Sequence, residues 1–284
     1  MEKPHHLAAA FIAGFGVAKP GAEARMGRVS LRSKASGEIR RRQAAANICF
    51  EYGLYQVEQP STSLAAHYAN DWWETYEGAL PLAAKALEAG TAGRDEWLTI
   101  LLHIQAVWPR HPDFERDVNE QGARRGLPPV AGDFLERLRQ AALKENRQVM
   151  AASRFAVLRR DERAERFLLN DKGFATFGDH EAGMVFPLTR EVAVLMALGR
   201  VRPGEDYEQL PRVERIVNAR GMRLLNDLAW DHAGIRCVIS HPDDDPQLAG
   251  LTDHDRTFKM TPRRQRPYRH TREPRLLDWA TATA

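Results

Sequence analysis

The order of patterns along this sequence predicts an α+β fold, a largely antiparallel sheet packed with a helical block. Three observations carry that expectation. Glu165 to Leu198 holds the densest strand signal, with apolar runs Phe167–Leu169, Phe174–Phe177, Met184–Phe186 and Val192–Leu198 parted by turn residues. Strand-like and helix-like stretches come in segregated blocks, which favours α+β over a doubly wound sheet. No glycine-rich phosphate loop follows a strand, which disfavours nicotinamide and nucleoside-triphosphate binding, so no cofactor is expected.

Taken in order, Lys3 to Gly16 carries His5 and His6 ahead of a short apolar stretch with Phe11, Ile12 and Phe15. Arg28 to Lys34 alternates as a strand does, Ala35-Ser36-Gly37 reads as a hairpin turn, and Glu38 to Arg42 returns. Ile48 to Val57 is aromatic and β-branched and reads as a further strand interrupted by Gly53. Pro60-Ser61-Thr62-Ser63 then supplies capping residues for a helix over Leu64 to Ala89, on which Trp72, Tyr76 and Leu80 share a core-facing side. A second helix spans Arg94 to Trp108 and stops at Pro109 and Pro112. After the loop Gly126-Leu127-Pro128-Pro129, a third helix is expected over Phe134 to Leu158. The strand-rich segment follows, then a fourth helix over Val213 to Ala233 and a last strand over Ile235 to Ser240. Beyond His241 the composition shifts to Pro, Asp and Arg, so residues 1–250 are read as one domain and 251–284 as a basic C-terminal extension.

The 284 residues are ample for a real core, and 43% hydrophobic with 28% charged residues is ordinary for a globular chain. No apolar run approaches the roughly 20 residues of a membrane helix, and the stretch from Phe11 to Val17 is too short and glycine-broken for a signal peptide. Cys49 and Cys237 lie in apolar runs and read as buried thiols. Cytoplasmic residence is the resulting expectation. Net charge is only +3, but its distribution is uneven: Arg40-Arg41-Arg42 forms one basic cluster, and Arg263, Arg264 and Arg266 belong to a second with Tyr268 among them. Basic residues interleaved with an aromatic suit a phosphate backbone, and a disordered basic tail has the same composition.

Several segments together resemble one family. His6 to Phe15 has the layout of its His-Tyr-Val-Pro-x-Phe-Tyr-Leu-x-x-Phe element. Glu77 stands where a helix glutamate is expected, and Phe167-Leu168-Leu169-Asn170-Asp171-Lys172-Gly173-Phe174 is similar to Phe-Ile-Thr-Ser-Asp-Asn-Pro-Val. Phe186-Pro187-Leu188-Thr189 matches a Phe-Pro-Leu-Ser/Thr element, and Asn226 lies on a helix before the final strand at Val238-Ile239. The chain thus resembles the family called domain of unknown function 4238, from about His6 to Ser240. The order of these motifs, not any one of them, carries the resemblance. Tyr-Val-Pro is missing here and Ser-Asp-Asn-Pro has become Asn-Asp-Lys-Gly, so the likeness speaks to fold and site position more than to activity.

Asp171 is the residue singled out for chemistry. Between two apolar strands, Asn170-Asp171-Lys172-Gly173 makes a good turn with Gly173 at positive φ; alternatively Asp171 is a carboxylate facing a cleft with His6, orienting a water or stabilising positive charge. Asp179-His180-Glu181, His5-His6 and Asp243-Asp244-Asp245 lack the spacing of metal ligands, and no metal is expected. No Gly-x-Ser-x-Gly nucleophile motif is present. Cleavage of a base–sugar bond needs one positioned acid, a water and a pocket for the base, and Asp171, His6 and Asn226 meet that need. The leading expectation is a hydrolase on nucleic acid, nearer a DNA glycosylase than a nuclease, with foreign DNA as its target. A non-catalytic nucleic-acid or protein-binding module is the alternative, and a small-molecule enzyme with a pocket under the sheet is the third.

Overall fold

A computed structural model of the chain describes residues 4–18, 24–52, 54–55, 57–60, 68–151, 153–177, 183–197, 213–233 and 236–251. The fold is α+β, but the strands form two sheets where the sequence suggested one. The first is four-stranded. It holds β1 (Arg28–Ser33) and β2 (Ile39–Ala44), joined by the expected hairpin with Gly37 at φ 69, then β9 (Cys237–Ser240) and the short β4 (Leu169–Asn170), in the order β2-β1-β9-β4. The second is five-stranded: β5 (Ala175–Phe177), β6 (Gly183–Pro187), β7 (Val192–Ala197), β3 (Arg154–Arg160) and β8 (Glu214–Val217), in that order. All pairings are antiparallel except β3 with β8.

The five-stranded sheet is covered on both faces, which explains the continuous apolar run of β7. Val192, Val194 and Met196 join the large core with Val157 and Phe186, while Ala193 and Leu195 join a second core with Ala156, Leu158 and Val185. A strand buried on both sides needs no polar alternation. The large core is shared with α1 (Ala9–Ala13), α3 (Leu80–Glu88), α4 (Arg94–Arg110) and α6 (Gly132–Ala151). The second core is closed by Met222 and Leu225 of α7 (Ala219–Asp231), and a third packs Trp230 and Val238 against Leu248 of α8 (Asp245–Ala249).

Four expectations are corrected, and one helix is added. The third helix ends at Ala151, where Ser153 Oγ bonds the Val149 carbonyl at 2.7 Å, and Arg154–Arg160 is a strand because Phe155 to Leu158 alternate between two apolar layers. Glu214–Val217 is likewise a strand and not the start of the fourth helix; Asn218 caps that helix by accepting from the Gly221 amide at 2.9 Å. Ile48 to Val57 forms no strand among its described residues: Cys49 and Tyr55 take φ of 55 and 67, which breaks the pleat, and only a bridge between His5 and Phe50 remains. The helix expected over Leu64 to Ala89 divides into α2 (Tyr68–Glu77) and α3 at Gly78-Ala79, with residues 61–67 outside those described. An unforeseen helix, α5 (Asp113–Arg124), follows Pro112. Asp179, His180, Glu181 and residues 252–284 lie outside the described residues. Among the described residues no helix is long and apolar enough to cross a membrane.

Candidate functional site

The Asn170–Gly173 turn carries the chain from one sheet to the other. β4 pairs with β9 through Leu169 with Ile239 and Asn170 with Val238, and the Asp171 amide extends the ladder to the Cys237 carbonyl at 3.0 Å. The Gly173 amide then closes the turn on the Asn170 carbonyl at 3.0 Å, with Gly173 at φ 78 as the sequence required. A Cβ there would stand 2.6 Å from Val107 Cγ2 and 2.9 Å from Leu7 Cδ2, so the turn is pressed onto α4 and the N-terminal segment. That packing turns Asp171 inward, and its side chain is fully buried.

His111 meets it there. α4 ends at Arg110, and His111 leaves the helix in an extended conformation before Pro112. Its Nδ1 accepts the Asp113 amide at 3.0 Å, which puts the proton of the neutral ring on Nε2. Nε2 lies 3.8 Å from Asp171 Oδ2, an electrostatic contact longer than a hydrogen bond. His6 packs edge-on against His111, with ring centroids 4.9 Å apart and planes at 80°. Its backbone is fixed by the amide of His6 on the Cys49 carbonyl at 2.9 Å. Arg110 also helps to hold this segment: it donates to the His5 carbonyl, pairs with Glu77 and reaches the Tyr76 hydroxyl at 3.1 Å.

His6 and His111 are each 1% exposed, and both ring nitrogens of His6 lack a hydrogen-bond partner, as does His111 Nε2. Burial first, and then the nearby His111, Arg236, Arg110 and His5, hold the His6 pKa well below 6.5, so its ring is neutral at neutral pH. Asp113 closes the other side of His111 and takes Arg116 at 2.9 Å and Lys172 at 3.4 Å. The Arg236 amide lies 3.3 Å from Asp171 Oδ2, while its side chain, 35% exposed, pairs with Glu51. Cys49 and Cys237 are free and buried beside these groups; a hydrogen bond to Cys237, then burial, raises the Cys49 thiol pKa.

His6 and Asp171 therefore both contact His111, a residue the sequence reading left aside as part of a helix stop. The signal was present in Arg110-His111-Pro112-Asp113, polar groups gathered at a helix break. Asn226 is not part of the cluster. It accepts from the Leu168 amide at 3.1 Å and donates to the Arg166 carbonyl at 2.9 Å and to Glu165 at 3.4 Å, tying down the chain before β4. Arg40, Arg41 and Arg42 stand on β2, at the opposite edge of the four-stranded sheet from Asp171 and about 14 Å from β4 by strand spacing. All three are exposed, but Arg40 pairs with Glu38 at 3.1 Å and Arg41 with Asp245 at 2.5 Å. Arg263, Arg264 and Arg266 lie outside the described residues. Among the described residues no three His, Cys, Asp or Glu side chains converge as a metal ion would require.

No family model, curated protein or solved structure matches the chain.

Proposed function

We propose that this chain is a hydrolase acting on nucleic acid, cleaving a base–sugar bond as a glycosylase does, with foreign DNA as its target. The observation that supports it is His6: a fully buried imidazole with both nitrogens unpartnered, against His111 and beside Asp171. Buried polar atoms left without partners are rare and call for an explanation. In this reading neutral His6 accepts a hydrogen bond from the attacking water and orients it. Asp171 stabilises the positive charge that develops on the sugar as the base departs. His111 is a positioning residue, its Nε2–H directed at Asp171 because Nδ1 is occupied by the Asp113 amide. Exposed Arg40, Arg41 and Arg42 supply part of the phosphate contact.

A second reading, a non-catalytic binding module, is favoured by the near-complete burial of His6, His111 and Asp171. The deciding experiment incubates the purified full chain with modified and unmodified DNA, followed by heat and alkali, beside Asp171→Asn. Strand breaks that appear only after alkali, and that vanish in a variant with an unchanged melting curve, support the glycosylase reading. Direct breaks point to a nuclease. Intact DNA throughout, with binding retained, leaves the module.

A further inference from the structure

A second site lies at the other end of β9. Asp171 stands beside Cys237; His241, just past Ser240, stands about 13 Å away by strand rise. There a cavity of about 490 Å³ opens between α3 and the turn joining β6 to β7, with Phe11 and Gly14 along its side. That volume is within the range of small-molecule sites. It stays open because α3 turns the short side chains of Pro81 and Ala84 toward it. The opposite wall is rigid. Thr189 Oγ1 accepts the amides of Glu191 and Val192 at 3.1 and 3.2 Å, and Arg190 grips Asp244 through two bonds of 3.0 Å.

The polar groups around this cavity are mostly donors. Lys85 has no carboxylate partner among the described residues, and Arg190 keeps the N–H groups of Nη1 after binding Asp244 through Nε and Nη2. His241 accepts the Asp243 amide on Nδ1 at 3.1 Å, so its neutral ring carries the proton on Nε2. Glu191 is occupied by Arg160 and Arg166, leaving Glu88 as the unpaired acceptor among the described groups of the lining. Pro81 on α3 and Ala89 at its C-terminal end, both accessible, supply apolar surface, while Phe11, Ala84 and Leu188 are buried behind it. We propose that this cavity binds a small organic anion: a carboxylate or phosphate held by Lys85, Arg190 and His241, with an apolar body lying against Pro81 and Ala89. This goes beyond the hydrolytic cluster and does not depend on it.

The probe is anilinonaphthalene sulfonate, an anion on an apolar body, titrated into the full folded chain by fluorescence. The expected result is one saturable site, weakened at least tenfold by Lys85→Glu, removed by Ala84→Phe, and unchanged by Asp171→Asn or by Lys144→Glu on the exposed face of α6. Displacement by an aromatic carboxylate or by a nucleoside monophosphate then separates the two anion types. Lack of saturation overturns the proposal, as does equal weakening by Lys85→Glu and Lys144→Glu. Should Ala84→Phe fail to fold, the exposed lysine pair decides alone.

Discussion

Acidification should destabilise this protein through histidines that fold in the neutral form, and His103 allows the size to be worked. It lies on α4 with its ring 4.9 Å from Phe11 and 6.3 Å from Tyr76, and its Nε2 has no partner. Burial, and then the charge of Arg110, lower its pKa from 6.5 to about 3. The unfolded chain therefore takes up this proton first. The stability tied to His103 is complete above the unfolded value of 6.5, is lost as pH falls through it, and levels off only near the folded value. Near pH 5 the loss is about 2 kcal/mol, a large part of a typical stability of roughly 5–15 kcal/mol. His6 shifts in the same direction and adds to the loss. The assay is urea unfolding from about pH 7.5 to about pH 5, on the protein and on His103→Phe. The variant carries its own packing cost, so the quantity read is the change in the difference between the two. It should shift by about 2 kcal/mol in favour of the variant over that range. Parallel stability curves, with a difference constant to about 0.5 kcal/mol, would refute a neutral buried His103.

Two other perturbations follow from the turn and its anchor. Gly173→Ala places a Cβ against Val107 and Leu7 at a positive φ, and should cost about 2–4 kcal/mol in urea unfolding; a change under about 0.5 kcal/mol would mean the turn is not packed as described. Asn226→Ala removes the acceptor of the Leu168 amide and should lower stability by about 1–3 kcal/mol while leaving any turnover per folded molecule intact. Turnover abolished at unchanged stability would put Asn226 in the chemistry.

The parts of the fold legible in the sequence are those whose pattern is local. The β1–β2 hairpin shows its alternation and its Gly37 turn, and β7 shows an unbroken apolar run. What escaped reading depends on distant partners. Arg154–Arg160 begins and ends in Arg and continues a helix-forming stretch, and becomes a strand only through β7 on one side and β8 on the other. Ile48 to Val57 has strand composition, yet Cys49 and Tyr55 adopt left-handed backbone and bury their side chains. At the candidate site, the acid turn and the N-terminal histidine could be marked from residue type alone. His111 was marked only by the polar helix break at Arg110 to Asp113; its partner, a carboxylate 60 positions on in the chain, carries no local signal.

β9 is late in the chain, yet it is an inner strand of its sheet, flanked by β1 and β4. Until residues 237–240 emerge from the ribosome, β1 and β4 each keep an edge without its ladder, and pairing Leu31 with Ile239 closes a loop of most of the chain's length. Such non-local closure makes folding slow and leaves strand edges open to other chains meanwhile. Expression at lower temperature, or with holding chaperones present, should therefore raise the yield of soluble protein.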